Sequence, residues 1–133
     1  MPIRPILRLI LAAAFLAAGI LHVAIPGPFL GITPGWVPFA PAVIMLTGLA
    51  EIAGAVGLMV PRLRRAAGIG LALYAVCVFP ANIQHAIDDL ARAEPLLGWA
   101  YHGPRLLLQP AVVWLCLWVA EVIAWPFGRR QAA

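Results

Sequence analysis

Long apolar runs alternate along the chain with short breaks dense in proline, arginine or amide side chains. Apolar residues fill 6–25, 42–60, 66–82 and 106–125, the third run carrying Pro80 near its end. A helix rises about 1.5 Å per residue, so roughly 20 apolar residues cross about 30 Å of hydrocarbon. The pattern therefore predicts four transmembrane helices over these ranges, an all-α integral membrane four-helix bundle forming one domain over 1–133. The first run, with Arg4 and Arg8 ahead of it and Ala17-Ala18-Gly19 inside it, also has features of a signal peptide. It is long enough to span, however, and it leads into His22 and a proline-rich loop.

That loop reads PGPFLGITPGWVPFAP over 26–41, with prolines at 26, 28, 34, 38 and 41. Each proline removes a backbone donor, which predicts no helix there. The loop is apolar and aromatic, with Phe29, Trp36 and Phe39. It is expected in the membrane interface or folded back over the bundle, because bare backbone cannot face lipid. Pro80 predicts a break in the third helix. The polar stretch from Asn82 to Ala93 then either extends that helix or lies along the surface.

Composition sharpens the membrane reading. Of 133 residues, 64% are hydrophobic and 11% charged, where a soluble domain carries about 25% charge. Mean hydropathy is +0.98. The basic residues are nine arginines and no lysine, and they sit at the ends of the runs rather than in a patch, so nucleic acid is not an expected partner. With four spans, Arg4, Arg8, Arg62, Arg64, Arg65, Arg129 and Arg130 share one side, against Arg92 and Arg105 on the other. Seven against two predicts, by the positive-inside bias, that both termini are cytoplasmic. Trp36, Trp99 and Tyr101 would form an outer aromatic belt, Trp125 and Phe127 an inner one. All-arginine basic usage with abundant Ala, Leu and Gly suggests a bacterial plasma (inner) membrane.

Chemistry is expected from polar side chains inside the runs, because these are costly in lipid and turn to the bundle interior. The ligand-binding candidates are His22, Glu51, Asn82, Arg105 and Gln109, with His85 near them. Glu51 lies mid-span, about 15 Å from the outer end of its helix. Thr47, Gly48, Gly54 and Ala55 share its face, and small residues there let helices approach closely. Arg105 and Gln109, four apart, share a face aimed at Glu51, His22 or Asn82, either directly or through Gln109 or a water. His22 as an interfacial residue, Asn82 as a helix cap and Arg105 as a snorkelling anchor are the plain structural readings. Glu121 is expected to reach the inner surface near Arg129 and Arg130, and His102, Trp114 and Trp118 to serve interface and packing. No metal-ligand motif, nucleotide loop, haem attachment site or nucleophile elbow is present, which argues against self-contained catalysis. Cys77 and Cys116 sit in separate apolar runs and read as packing.

The strings LHVAIPGPFLGITPGWVP, TGLAEIAGAVGLMVPRLRRAAG, VFPANIQHA and RLLLQP, taken in order, resemble the DoxX-like family of small four-helix membrane proteins over nearly the whole chain. The resemblance implies a quinone- or redox-associated membrane subunit with a redox protein partner, a quinone being the implied cofactor. Branches of that family with paired cysteines are not matched, since Cys77 and Cys116 lie on different helices. Two other readings stand beside it: a non-enzymatic binder or carrier of a small apolar molecule, and a structural or assembly subunit.

Overall fold

The computed structural model describes residues 3–128. Among them are five helices and no strand: α1 (Ile3–Ala24), α2 (Gly27–Gly31), α3 (Ala40–Met59), α4 (Arg64–Leu90) and α5 (Trp99–Val119). Three of these, α1, α3 and α4, are long and apolar enough to cross a membrane. Their outward faces stay apolar, with Leu46 64% and Leu73 61% exposed, as lipid contact requires and water does not favour.

Small residues set the packing. A methyl group on Gly19 would lie 2.6 Å from the Gly48 carbonyl oxygen, and one on Gly48 would lie 2.8 Å from His22 Cβ. The backbones of α1 and α3 are thus in near contact, so nothing larger than glycine fits at the crossing. Gly68 plays the same part between α4 and Ala120, just past α5. The dense core lies toward the arginine-bearing end, where Leu11 and Phe15 of α1, Leu58 of α3, Leu71 of α4 and Cys116 and Val119 of α5 are buried together.

Several expectations are corrected. Pro80 does not break the third helix, because α4 continues to Leu90. Proline still removes the donor to the Val76 carbonyl, so the helix continues with one backbone bond fewer. The proline-rich loop is not wholly without helix: α2 forms one turn, with Pro26 and Pro28 at its start, where missing amide donors are harmless. The last helix begins at Trp99 rather than 106 and ends at Val119 rather than 125. Glu121 gains partners from elsewhere in the chain. It lies past α5, 2.6 Å from Arg8 Nη2 and 3.3 Å from Arg64 Nη1. Arg129 and Arg130 lie outside the described residues. Trp36, Trp99, Trp125 and Phe127 are all exposed.

Candidate functional site

Away from the dense core the bundle is hollow. A cavity of about 400 Å³ opens between α1, α3, α4 and α5 and is covered by the segment from Phe29 to Val37. Its wall is mostly apolar, with Phe15, Ile44, Val78 and Val112. Into it come all five residues singled out from the sequence: His22, Glu51, Asn82, Arg105 and Gln109. Apolar walls with a few fixed polar groups are the usual make-up of a small-molecule site.

Glu51 is 4% exposed. Its Oε1 receives the Tyr74 hydroxyl at 2.7 Å. His22 Nδ1 lies 2.9 Å from Oε2 and also 2.8 Å from the Ala18 carbonyl. A carbonyl can only accept, so any Nδ1 proton is shared between it and the carboxylate, and Oε2 has no donor to itself. The carboxylate is therefore held in place but half-used. The His22 ring is fixed from its other face by Phe29, stacked at 3.8 Å, and the close α1–α3 crossing at Gly48 brings it to Glu51.

Arg105, Asn82 and Gln109 form a directed chain. Arg105 Nη2 donates to Asn82 Oδ1 at 2.8 Å, Asn82 Nδ2 to Gln109 Oε1 at 3.3 Å, and Gln109 Nε2 to the Ala75 carbonyl at 2.7 Å. The last bond ties α5 to the α4 backbone one residue before Val76, whose carbonyl Pro80 leaves without its helical donor. Arg105 Nη1 also donates to His85 Nδ1 at 3.0 Å, and its guanidinium lies 5.6 Å over the Tyr101 ring. A direct Glu51–Arg105 ion pair is not present among the described residues. The two line the same cavity with separate partners.

Two features escape a reading of the sequence. Tyr74, in the middle of an apolar run, reads as packing until its hydroxyl is seen on Glu51. His102 is fully buried, and its Nε2 lies 3.1 Å from Asp89 Oδ2, a pairing its sequence position did not announce. Asp89 also receives the backbone amides of Leu96, Leu97 and Gly98 at 2.9, 3.1 and 3.0 Å. This cluster ties the α4–α5 loop to the start of α5, and the His102 ring meets His85 edge-on at 5.0 Å. It therefore props the residue that holds Arg105. Among the described residues no group of three or more His, Cys, Asp or Glu side chains is placed to hold a metal. Cys77 is exposed and Cys116 buried.

Fold and site together define an all-helical protein with three helices of membrane-spanning length and a mostly apolar cavity in the bundle that carries a few polar side chains. The chain belongs to the family described as Domain of unknown function (DUF8561), which matches residues 11–122 and so includes every side chain described at the cavity. No curated protein and no solved structure matches it.

Proposed function

We propose that the protein is a four-span plasma-membrane protein whose cavity binds a small, largely apolar molecule with an oxygen-bearing head. The observation that carries this reading is the buried Glu51 carboxylate, one oxygen faced only by a shared His22 nitrogen, in the wall of an apolar cavity that also holds Arg105. In this reading α5, with 21 residues and Leu107 79% exposed, is the fourth span. The meeting of Arg8, Arg64 and Glu121 supports one shared arginine-rich end, which the positive-inside bias assigns to the cytoplasm of a bacterial cell.

The DoxX resemblance makes a quinone the first ligand to test, with a redox protein partner providing the electrons. The residues fit that group: Arg105, Asn82 and Gln109 have donors for a carbonyl oxygen, and Glu51 Oε2 has room for a hydroxyl donor. Bound there, a quinone would supply reversible two-electron, two-proton chemistry. The chain's own part is to orient the head, keep water out beneath the Phe29–Val37 cover and hold a proton at Glu51 Oε2. This is the work of an accessory subunit more than of a self-contained enzyme.

The test is to purify the full chain in mild detergent, extract its lipids and measure quinone by mass spectrometry. Added short-chain quinone is titrated in parallel. Co-purified quinone, reduced about tenfold in Glu51→Gln, is the expected result. Absence of quinone from the wild type, with no saturable binding of the added one, overturns the quinone reading. Saturable binding of a redox-silent apolar molecule in its place would identify a carrier.

A further inference from the structure

Arg105 has no counter-charge. Among the described residues it makes no ion pair. Its bonds go to the Asn82 amide oxygen and to His85 Nδ1, which can accept only as an unprotonated nitrogen. The ring beneath it is the neutral Tyr101, and Gln109 beyond Asn82 is neutral as well. The acids on the adjoining turns are committed elsewhere. Asp89, one turn past His85, spends both oxygens on three backbone amides and His102. Asp88 pairs with Gln84. Glu51, in the same cavity, is engaged by Tyr74 and faced by His22. A half-buried guanidinium cradled by neutral acceptors, at the wall of an apolar cavity, is an unbalanced charge, and unbalanced charge is unfavourable away from water.

We infer that the cavity's ligand brings the missing charge: it is an acidic amphiphile whose anionic head, a carboxylate or an enolate-type oxygen anion, pairs with Arg105 while its apolar body fills the cavity. This rests on the cavity being a ligand site and narrows the ligand's class. Arg105 retains N–H donors beyond the two already used, and a guanidinium presents them in a planar fork suited to two oxygens. The neutral cradle supports this assignment, because an acid among those neighbours would compete with the ligand's head. Phe29, Ile32 and Val37 in the cover, with Ile44 and Val78 in the wall, match an apolar body.

The test compares three probes on the full chain in nanodiscs of neutral lipid, with empty nanodiscs subtracted: labelled dodecanoate, dodecanol and a short-chain neutral quinone. The acid is expected to bind about tenfold tighter than the alcohol, as a charge-assisted hydrogen bond gives. Arg105→Gln should bring that ratio near one, and Arg105→Lys should keep part of it. Equal affinities for acid and alcohol in the wild type, or a ratio unchanged in Arg105→Gln, overturns the inference. Binding of the neutral quinone without dodecanoate overturns it too, while leaving the cavity as a ligand site. If no probe binds saturably, both the inference and the site reading fail. Should Arg105→Gln not fold, the wild-type ratio and Arg105→Lys still decide.

Discussion

The Tyr74 hydroxyl of α4 donates to Glu51 Oε1 of α3 at 2.7 Å, so the buried carboxylate depends on a neighbouring helix for its one unshared donor. Tyr74→Phe deletes that donor and leaves the oxygen buried and unpaired. The expected loss is about 1–3 kcal/mol of stability. Glu51→Gln retains an acceptor for Tyr74 and should cost less. Denaturant unfolding of both variants in the same detergent checks the order. If Tyr74→Phe is as stable as wild type, the hydroxyl does not support the carboxylate.

The crossing of α1 and α3 makes a second prediction. A methyl group at Gly48 would sit 2.8 Å from His22 Cβ and 2.9 Å from the Gly19 carbonyl oxygen. Backbone cannot yield as a flexible side chain can, so Gly48→Ala forces the helices apart. A cost of about 1–3 kcal/mol is expected for such overpacking, together with weaker ligand binding as His22 moves away from Glu51. At Gly70, an added methyl meets nothing within 4 Å. Gly70→Ala should be neutral or stabilising by up to about 1 kcal/mol, since alanine is the better helix former. Equal effects at the two positions would mean that the crossing is not tightly packed.

The helical runs and the five cavity candidates were legible because polar side chains stand out against long apolar runs. A span needs some 20 apolar residues, and any ionisable side chain inside it stands out. The rest was hidden for physical reasons. Pro80 carries the ordinary meaning of a helix breaker, and only the tertiary fold shows α4 running through it to Leu90. Tyr74 has an apolar body and is indistinguishable in sequence from a packing residue. Asp89 and His102 lie 13 positions apart across a loop, so no helical or strand period links them. Glu121 was read with the arginines next to it in sequence, and its partners among the described residues, Arg8 and Arg64, come from distant helices that no local pattern links to it.

Asp89 should act as a latch for the loop between α4 and α5. Three consecutive backbone amides and one imidazole converge on it, and asparagine offers one acceptor oxygen in place of two. Asp89→Asn is therefore expected to free the segment around Leu96–Gly98, read as faster proteolytic cleavage there in the folded protein. His102→Ala should do so more mildly, since the three amide bonds survive. Unchanged cleavage in Asp89→Asn would show that the loop is held by something else.

Glu121 makes a pH prediction. Burial alone would raise its carboxyl, but the hydrogen bond and charge of Arg8, with Arg64 and Arg4 nearby, outweigh that and hold it below the usual carboxylate range. A group with a depressed folded pKa contributes stability that is fully present above its unfolded value, about 4.3. That contribution is lost as pH falls through the folded value. The difference in unfolding midpoint between wild type and Glu121→Gln should thus be constant near neutrality and shrink below about pH 4.3. The effect should be modest, because the side chain is 47% exposed and solvent screens it. A difference that grows on acidification would contradict the pairing.

Phe29 links the cover of the cavity to its chemistry. Its ring stacks on His22 at 3.8 Å with 24° between planes, while its helix, α2, is a single turn that contributes no fully buried residue. Removing the ring therefore opens the cavity at little cost to the bundle, whose core lies toward the opposite end around Leu58 and Leu71. Phe29→Ala should weaken binding of whichever probe the wild type retains by about tenfold, through faster release, a contact loss on the order of 1.4 kcal/mol. Its unfolding midpoint should stay close to wild type. Gly48→Ala, in contrast, should lower binding and stability together, because it moves the helices rather than the cover. If Phe29→Ala binds as tightly as wild type, the 29–37 segment does not close the site. If it unfolds as readily as Gly48→Ala, the segment is part of the bundle's core and not a cover over its cavity.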